Sequence, residues 1–349
     1  MTMITRRNLL LSLPAFAAAP HVIARVGAQQ PRRSPIPVRA LNHMTLTVSD
    51  VKRSVDFYQA LFGMPIQARQ GATVLLRIGA GPQFIAIGTG DGNAKPGIGH
   101  FCMTTGNFNA DRLMGILAQH GVTKAGGSSG GLSGGPMNAR VRVRFPDRGG
   151  AGQGTPELYL GDPDGIVIQL QDPTYCGGGG VLGNLCPSAE PAPTRGVLAV
   201  RDLNHFTMSV ADGPRGAAFY QELFGLRIHA HQGANPVLGV GTGAQFVMAN
   251  GPAPGRAAAA SINHACLTMN GFDPDKVLKA LTDFGLKPRG NSPTGPLVHY
   301  VSMRMPARGG APGGTPELYF TDPDGLVMQL QDTSYCGGGG FLGNLCTGA

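Results

Sequence analysis

No apolar run in this chain is long enough to cross a bilayer. The longest, Leu9 to Ala19, falls short of the ~20 apolar residues that a spanning helix needs. No basic cluster is interleaved with aromatics, so nothing favours a nucleic-acid partner. The excess of 28 Lys+Arg over 20 Asp+Glu gives +8, but it is scattered and partly N-terminal. A mildly positive surface of that kind helps to collect anionic substrates. No cysteines lie two to four residues apart, the usual spacing in a structural zinc site. The two Asp-Pro-Asp-Gly segments lack the remaining ligands of a calcium loop and read as turns. With 55 glycines and 28 prolines the chain contains many turns and loops.

What is present is duplicated. Leu41-Asn42-His43-Met44-Thr45 returns as Leu203-Asn204-His205-Phe206-Thr207, and Phe57-Tyr58-Gln59 returns as Phe219-Tyr220-Gln221. Thr155-Pro156-Glu157-Leu158-Tyr159 returns as Thr315-Pro316-Glu317-Leu318-Tyr319, and Asp162-Pro163-Asp164-Gly165 as Asp322-Pro323-Asp324-Gly325. Each copy closes with Tyr-Cys-Gly-Gly-Gly-Gly and then Leu-Gly-Asn-Leu-Cys. Solenoid repeats run ~20–50 residues, so a period near 160 describes two whole domains, each able to bury its own core. The expected division is an export signal over 1–28, a first domain over 40–172, a Cys/Gly loop and Pro/Ala linker over 173–200, a second domain over 201–332 and a C-terminal Cys/Gly loop over 333–349.

Thr5-Arg6-Arg7-Asn8-Leu9-Leu10, followed by a short apolar run and small residues, reads as a twin-arginine signal cleaved after Ala24 or Ala28. Delivery to the periplasm or the exterior is expected, with no membrane attachment after cleavage. An oxidising destination agrees with Cys176/Cys186 and Cys336/Cys346, each pair ten residues apart, closing two glycine-rich loops as local disulfides. Two dithiol metal sites are the rival reading. A disulfide in so short a loop contributes ~2–3 kcal/mol in the chain-entropy model. Cys102 and Cys266 remain unpaired.

Within one repeat, residues 41–48 alternate as a strand, and Ser49 or Asp50 caps a helix carrying Val51, Val55, Tyr58, Leu61 and Phe62, stopped by Gly63. Further strands are expected over 73–79 and 83–88. A strand from His100 to Thr104 leads to a helix over 109–120 capped at Asn109 or Asp111, then strands at Arg140–Phe145, Glu157–Leu160 and Ile166–Leu170. In the second copy Asp273 caps a helix with Pro274 at its first position. His43 and His100 therefore open two strands and Gln169 sits on a last one, as do His205, His264 and Gln329, at offsets of 160 to 164 residues. Side chains of neighbouring strands converge on one sheet face. Two imidazoles and one oxygen donor suit Fe(II) first, with Mn, Zn or Ni as alternatives. Glu157 and Glu317 are expected to face solvent or pair with an arginine, and Cys102 and Cys266 to be buried. His299 has no counterpart in the first repeat, where Ala139 stands, which makes it a candidate general base of the second domain. His229 and His231 stand where Gln67 and Arg69 do, so the domains are not equivalent.

This pattern resembles the vicinal oxygen chelate superfamily of glyoxalases, bleomycin-resistance proteins and extradiol ring-cleaving dioxygenases, over roughly 40–172 and 201–332. The resemblance implies an α+β fold: a tandem pair of domains, each built of two βαβββ modules that form a cup-shaped mixed sheet around a metal. It maps the metal ligands onto His43, His100 and Gln169 and onto His205, His264 and Gln329, and a substrate-facing hydrogen-bond donor onto Tyr159 and Tyr319. Two departures matter. Gln169 and Gln329 stand where the family usually has Glu, which raises the charge of a metal site by one, weakening affinity and strengthening Lewis acidity. The histidine of the extradiol motif, a few residues before the Tyr, is absent. The implied activity is a metal-dependent, ring-cleaving-dioxygenase-like enzyme acting on a small molecule. A glyoxalase-like lyase or isomerase and a metal-free binding protein are the alternatives. The assembly is a monomeric pseudo-dimer or a homo-oligomer.

Overall fold

The computed structural model describes residues 34–349 except 91–93, 128–129, 253–258, 291–294 and 348–349. The export signal expected over 1–28 lies outside the described residues. The first repeat runs β1 (Val38–Thr47), α1 (Val51–Phe62), β2 (Ile66–Gln70), β3 (Thr73–Arg77), β4 (Phe84–Gly88), β5 (Gly97–Thr105), α2 (Ala110–Gln119), β6 (Thr123–Lys124), β7 (Asn138–Arg144), β8 (Thr155–Gly161) and β9 (Val167–Gln171). The second repeats it: β10 (Asp202–Ser209), α3 (Gly213–Phe224), β11 (Arg227–Gln232), β12 (Asn235–Gly239), β13 (Phe246–Asn250), β14 (Ser261–Met269), α4 (Pro274–Phe284), β15 (Lys287–Pro288), β16 (Val298–Arg304), β17 (Thr315–Thr321) and β18 (Val327–Asp332). The tandem α+β architecture is as expected. β2 and β6 are additions. Ile66-Gln67-Ala68-Arg69-Gln70 carries too little apolar alternation to announce a strand, and β2 forms because it pairs with β3.

Helix signals are local. Asp50 caps α1 by accepting from Arg53 N, Asn109 caps α2, and Asp273 caps α4 ahead of Pro274. Gly63 ends α1 at φ +66°, where a Cβ would stand 2.1 Å from Arg195 O, so only glycine fits. The chain around Arg195 belongs to the expected linker. It is exposed but pinned, because Glu190 bridges Ile66 through the backbone and Arg69 through its carboxylate.

In each repeat the two modules meet edge to edge. β1 pairs parallel with β4 and antiparallel with β5, and β5 pairs parallel with β9. The sheet therefore reads β2-β3-β4-β1-β5-β9-β8-β7-β6, and the second repeat follows suit. One face buries Met44, Leu46, Phe101 and Met103 in the common core; the other is the cup.

The repeats are interlocked. Phe101 and Phe206 stack at 4.8 Å, and Phe57 of α1 meets Phe284 and Phe320 of the other repeat. Each Asp-Pro-Asp-Gly turn takes part. Asp162 Oδ1 accepts from Asp164 N and Ile166 N, while Oδ2 accepts from Tyr220 Oη at 3.2 Å; Asp322 and Tyr58 repeat this at 3.3 Å. These four residues are buried, so losing either hydroxyl strands a carboxylate oxygen. Tyr58→Phe and Tyr220→Phe are each expected to lower stability by about 1–3 kcal/mol. A urea-unfolding midpoint unchanged in both variants would show the lock to be inert.

Candidate metal centre in each repeat

The ligand face is set by register. His43 lies opposite Cys102, Cys102 opposite Gln169, and Gln169 opposite Tyr159, so the four form one row across β1, β5, β9 and β8. His100 sits two pairs along, opposite Thr45, and so on the same face. A register shift between Leu41 and His43 marks a bulge at Asn42. Consecutive strand residues normally point to opposite faces, yet here the side chains of Asn42 and His43 meet.

At the first centre His43 Nε2 is 2.9 Å and His100 Nε2 3.0 Å from Gln169 Oε1. At the second, His205 Nε2 is 3.3 Å from His264 Nε2, and both rings contact the Gln329 side chain. All six side chains are buried. The outer nitrogens fix the protons. Asn42 Nδ2 donates to Tyr175 O, so its Oδ1 accepts from His43 Nδ1 at 2.7 Å. Asn204 does the same between Tyr335 O and His205 Nδ1, and Asn263 Oδ1 accepts from His264 Nδ1 at 2.8 Å. A neutral imidazole protonated at Nδ1 carries a bare lone pair at Nε2. The second centre therefore aims two imidazole lone pairs at each other, with no proton between them.

Burial keeps these rings neutral. It holds His100 and His264 down at about 4 and pushes His43 and His205 well below the ordinary histidine value, helped by the neighbouring His100 and His264. Three donors at right angles, each about 2.1 Å from one cation, lie about 3.0 Å apart. The observed spacings fit. The amide nitrogens of Gln169 and Gln329 are buried without partners, as expected where Oε1 is turned inward. Among the described residues no three His, Cys, Asp or Glu cluster as a metal site; each candidate centre depends on an amide.

Behind the row lies a buried polar network that sequence reasoning placed only in part. Glu157 is not at the solvent but paired with an arginine, the other half of the expectation: Arg144 Nε donates to it at 2.8 Å, as do Tyr175 Oη and Tyr159 Oη. Arg304, Tyr335 and Tyr319 serve Glu317 alike. Arg144 Nη2 also donates to Gly178 O and Arg304 Nη2 to Gly338 O, which fastens the two Cys/Gly loops. Those loops are closed by the Cys176–Cys186 and Cys336–Cys346 disulfides, not by metal-binding dithiols. Tyr159 and Tyr319 stand edge-on to His100 and His264, both at 5.3 Å, with their hydroxyls on the glutamates. The signal for this network was present in the repeated Asn-His and Thr-Pro-Glu-Leu-Tyr strings. Cys102 and Cys266 are buried.

His299 does not join the site. It neighbours Tyr300, which stacks on Tyr319, and so falls on the opposite sheet face, with Nε2 2.9 Å from Thr282 Oγ1 of α4. Its assignment as a general base is withdrawn on that geometry. His229 is also structural. Its ring fills the space beside Gly239, where a Cβ would come within 1.9 Å of Nε2.

The second cup holds a cavity of about 200 Å³ lined by His205, His264, Gln329, Glu317 and Tyr319 among others. The family model described as Glyoxalase/Bleomycin resistance protein/Dioxygenase superfamily matches residues 40–127 and 202–330, more than half of the chain. The chain belongs to this superfamily. No curated protein matches it. Its fold is shared with BphC, a halotolerant catechol dioxygenase (16% identity, TM-score 0.54, 84% of this chain and 86% of that one). It is also shared with the Mn(II)-bound glyoxalase from Novosphingobium aromaticivorans (11%, 0.55, 84% and 82%). A third neighbour is the homoprotocatechuate 2,3-dioxygenase of Brevibacterium fuscum in complex with 3,4-dihydroxyphenylacetate (14%, 0.56, 87% and 84%). At these identities the likeness is one of fold.

Neutral buried imidazoles tie stability to pH in the metal-free protein. In the unfolded chain His100 and His264 take up protons as pH falls through 6.5; in the folded protein they resist until about 4. Their contribution is complete above pH 6.5 and is lost towards pH 4, at about 1.4 kcal/mol per pH unit per histidine. Asp162 and Asp322, raised by burial from 3.8 to about 6, act with the opposite sign below pH 6. His43 and His205 add to the histidine side, so four groups oppose two. The urea midpoint of chelator-treated protein is expected to fall from pH 7 to pH 4.5, and to fall less steeply in the His100→Ala/His264→Ala double variant. Equal slopes in the two proteins would contradict the assignment.

Proposed function

We propose that this chain is an exported divalent-metal enzyme of the superfamily, acting on a small substrate that chelates the metal through two adjacent oxygens. The observation that carries this reading is the 3.3 Å approach of His205 Nε2 to His264 Nε2 with the Gln329 side chain against both rings, while the outer ring nitrogens meet Asn204 Oδ1 and Asn263 Oδ1. His43, His100 and Gln169 would hold a second ion. A bound cation supplies Lewis-acid polarisation of the chelating oxygens. The chain itself contributes three neutral donors that leave the ion its full charge, a buried cup that limits water, and a positioned hydroxyl. Tyr319 Oη donates to Glu317 Oε2, 3.3 Å away, which leaves its lone pairs to accept a hydrogen bond from a substrate hydroxyl.

Ring-opening oxygenation with Fe(II) is the first reading, supported by the fold shared with catechol dioxygenases. The amide in place of a carboxylate favours a second, glyoxalase-like proton transfer with Mn, Zn or Ni, because a neutral ligand set disfavours oxidation of the ion while sharpening its Lewis acidity. The metal-free alternative has a physical form as well. If the amide of Gln329 were turned over, its NH2 would donate to both imidazoles.

Elemental analysis of protein exported through its own signal separates these. Up to two equivalents of metal per chain are expected, with one lost in His43→Ala and one in His205→Ala; no stoichiometric metal would falsify the proposal. The centres also differ in a measurable way. Asn263 holds His264 Nδ1, whereas Gly99 occupies its place in the first repeat and His100 Nδ1 is buried without a partner. Outer partners of metal-bound histidine are worth ~10–100-fold in affinity. In chelator competition, Asn263→Gly is expected to weaken the second centre and Gly99→Asn to tighten the first by that order.

A further inference from the structure

We infer that the second cup, and not the first, takes a small oxygen-rich anion of the hydroxycarboxylate class. The carboxylate and adjacent hydroxyl face the metal ligands, and the far end meets Asn250, Thr207 and Arg308. This rests on the reading of the second centre as a metal site and, of the two chemistries proposed for it, selects proton transfer over ring opening.

Four observations carry it. The first is size: about 200 Å³ lies below the ~300–1,000 Å³ usual for drug-sized ligands. The second is polarity. Met248 is the sole lining side chain without a nitrogen or oxygen; Thr207, Ser209, Gln232, Asn250, Asn263 and Arg308 face the same space. Apolar walls are the norm for small-molecule sites, so this lining selects against a bare aromatic ring.

The third is unmet hydrogen bonding. Thr207 Oγ1, Asn250 Oδ1 and Gln329 Nε2 are buried without a partner, and all three residues line the cavity. Thr207 is 3% exposed and Gln329 1%. Buried polar groups are ordinarily satisfied, and stranding one costs roughly 1–3 kcal/mol. A ligand offering both hydroxyl donors and carboxylate acceptors answers all three.

The fourth is charge. Every metal ligand is neutral, and Arg308 adds a cation at the cavity. The one carboxylate in the lining, Glu317, already accepts from Arg304, Tyr319 and Tyr335, so its charge is matched and its lone pairs are engaged. A divalent ion held by neutral donors beside a guanidinium favours an anion in the space that remains. The first repeat retains Thr45 and Arg148 at the places of Thr207 and Arg308 but puts Gly88, Gly99 and Ala86 where Asn250, Asn263 and Met248 stand. Its cup lacks the two asparagines, one of which, Asn250, meets the far end of the ligand.

The test is titration calorimetry of L-malate into the full mature chain loaded with Mn(II), with catechol as the neutral aromatic contrast. One malate per chain is expected, bound at least tenfold more tightly than catechol. Asn250→Gly, which installs the residue of the first cup, and Arg308→Met, at an exposed position, are each expected to weaken malate tenfold or more with Mn(II) content unchanged. Arg148→Met is expected to leave malate binding as it was. Malate affinity unchanged in both second-cup variants, loss of binding in Arg148→Met instead, or tighter binding of catechol overturns the inference and leaves the metal reading intact. Failure to retain Mn(II) at all overturns the proposed function, and the chelation with it.

Discussion

The antiparallel pairing of β1 with β5, and of β10 with β14, is the constraint on which each centre depends. It joins two separately wound modules at their first strands and so brings together histidines 57 and 59 residues apart in sequence (43 to 100, 205 to 264). The register places His100 opposite Thr45, two pairs from His43, and the parallel partner β9 brings Gln169 alongside. A slip of one residue would turn one histidine to the helical face. The bulge at Asn42 is part of the same device, because it lets the preceding residue reach the outer nitrogen of the ring. The ligand and the group that fixes its proton therefore come from consecutive positions.

A rigid surround maintains that geometry. Arg144 and Arg304 each tie a buried glutamate to a glycine carbonyl of a disulfide-closed loop, and Tyr175 and Tyr335 connect the same loops to the glutamate and to the asparagine. Removing one partner of such a pair leaves an uncompensated buried charge, which costs far more than the pair contributes. The network is therefore better understood as holding Tyr159 and Tyr319 in place than as a source of stability. The Tyr–Asp locks act at longer range: α1 and α3 each pack onto the opposite repeat, so neither cup moves without disturbing the other half.

Duplication made most of this legible in the sequence. A strand histidine occurring once carries little weight; two of them and a glutamine recurring at nearly one offset single out the ligand row. Helix ends were readable because capping is local: Asp50, Asn109 and Asp273 act within three residues of themselves. Position relative to a face was not readable. Alternation separates His299 from Tyr300 but does not say which of the two sees the cup. That is decided by the pairing of β16 with β17, where Tyr300 lies opposite Tyr319. Which half of the Glu157 expectation would hold, solvent or an arginine, was not readable for a related reason. Its burial follows from Arg144, thirteen residues away, and from a loop tyrosine after the last strand. β2 shows the limit of propensity, since pairing supplies what its composition lacks.

The two cups illustrate how duplicated sites diverge around a shared set of residues. All six candidate donors persist, while the changes fall one step out: Asn263 against Gly99, Asn250 against Gly88, Met248 against Ala86. Each removes contacts in the first cup and leaves the backbone pairing untouched, since both versions accept the same register. The loss has a chemical consequence. With no acceptor at Nδ1, His100 is free to carry its proton at Nε2 and donate to Gln169 Oε1 at 3.0 Å, or to Thr45 Oγ1 at 3.2 Å. That ring can satisfy itself without a cation. His264 cannot, because Asn263 commits its proton to the far side. One asparagine thus distinguishes a histidine pair that can close on itself from one whose ring nitrogens face each other, and that difference is the basis for proposing the second repeat as the working centre.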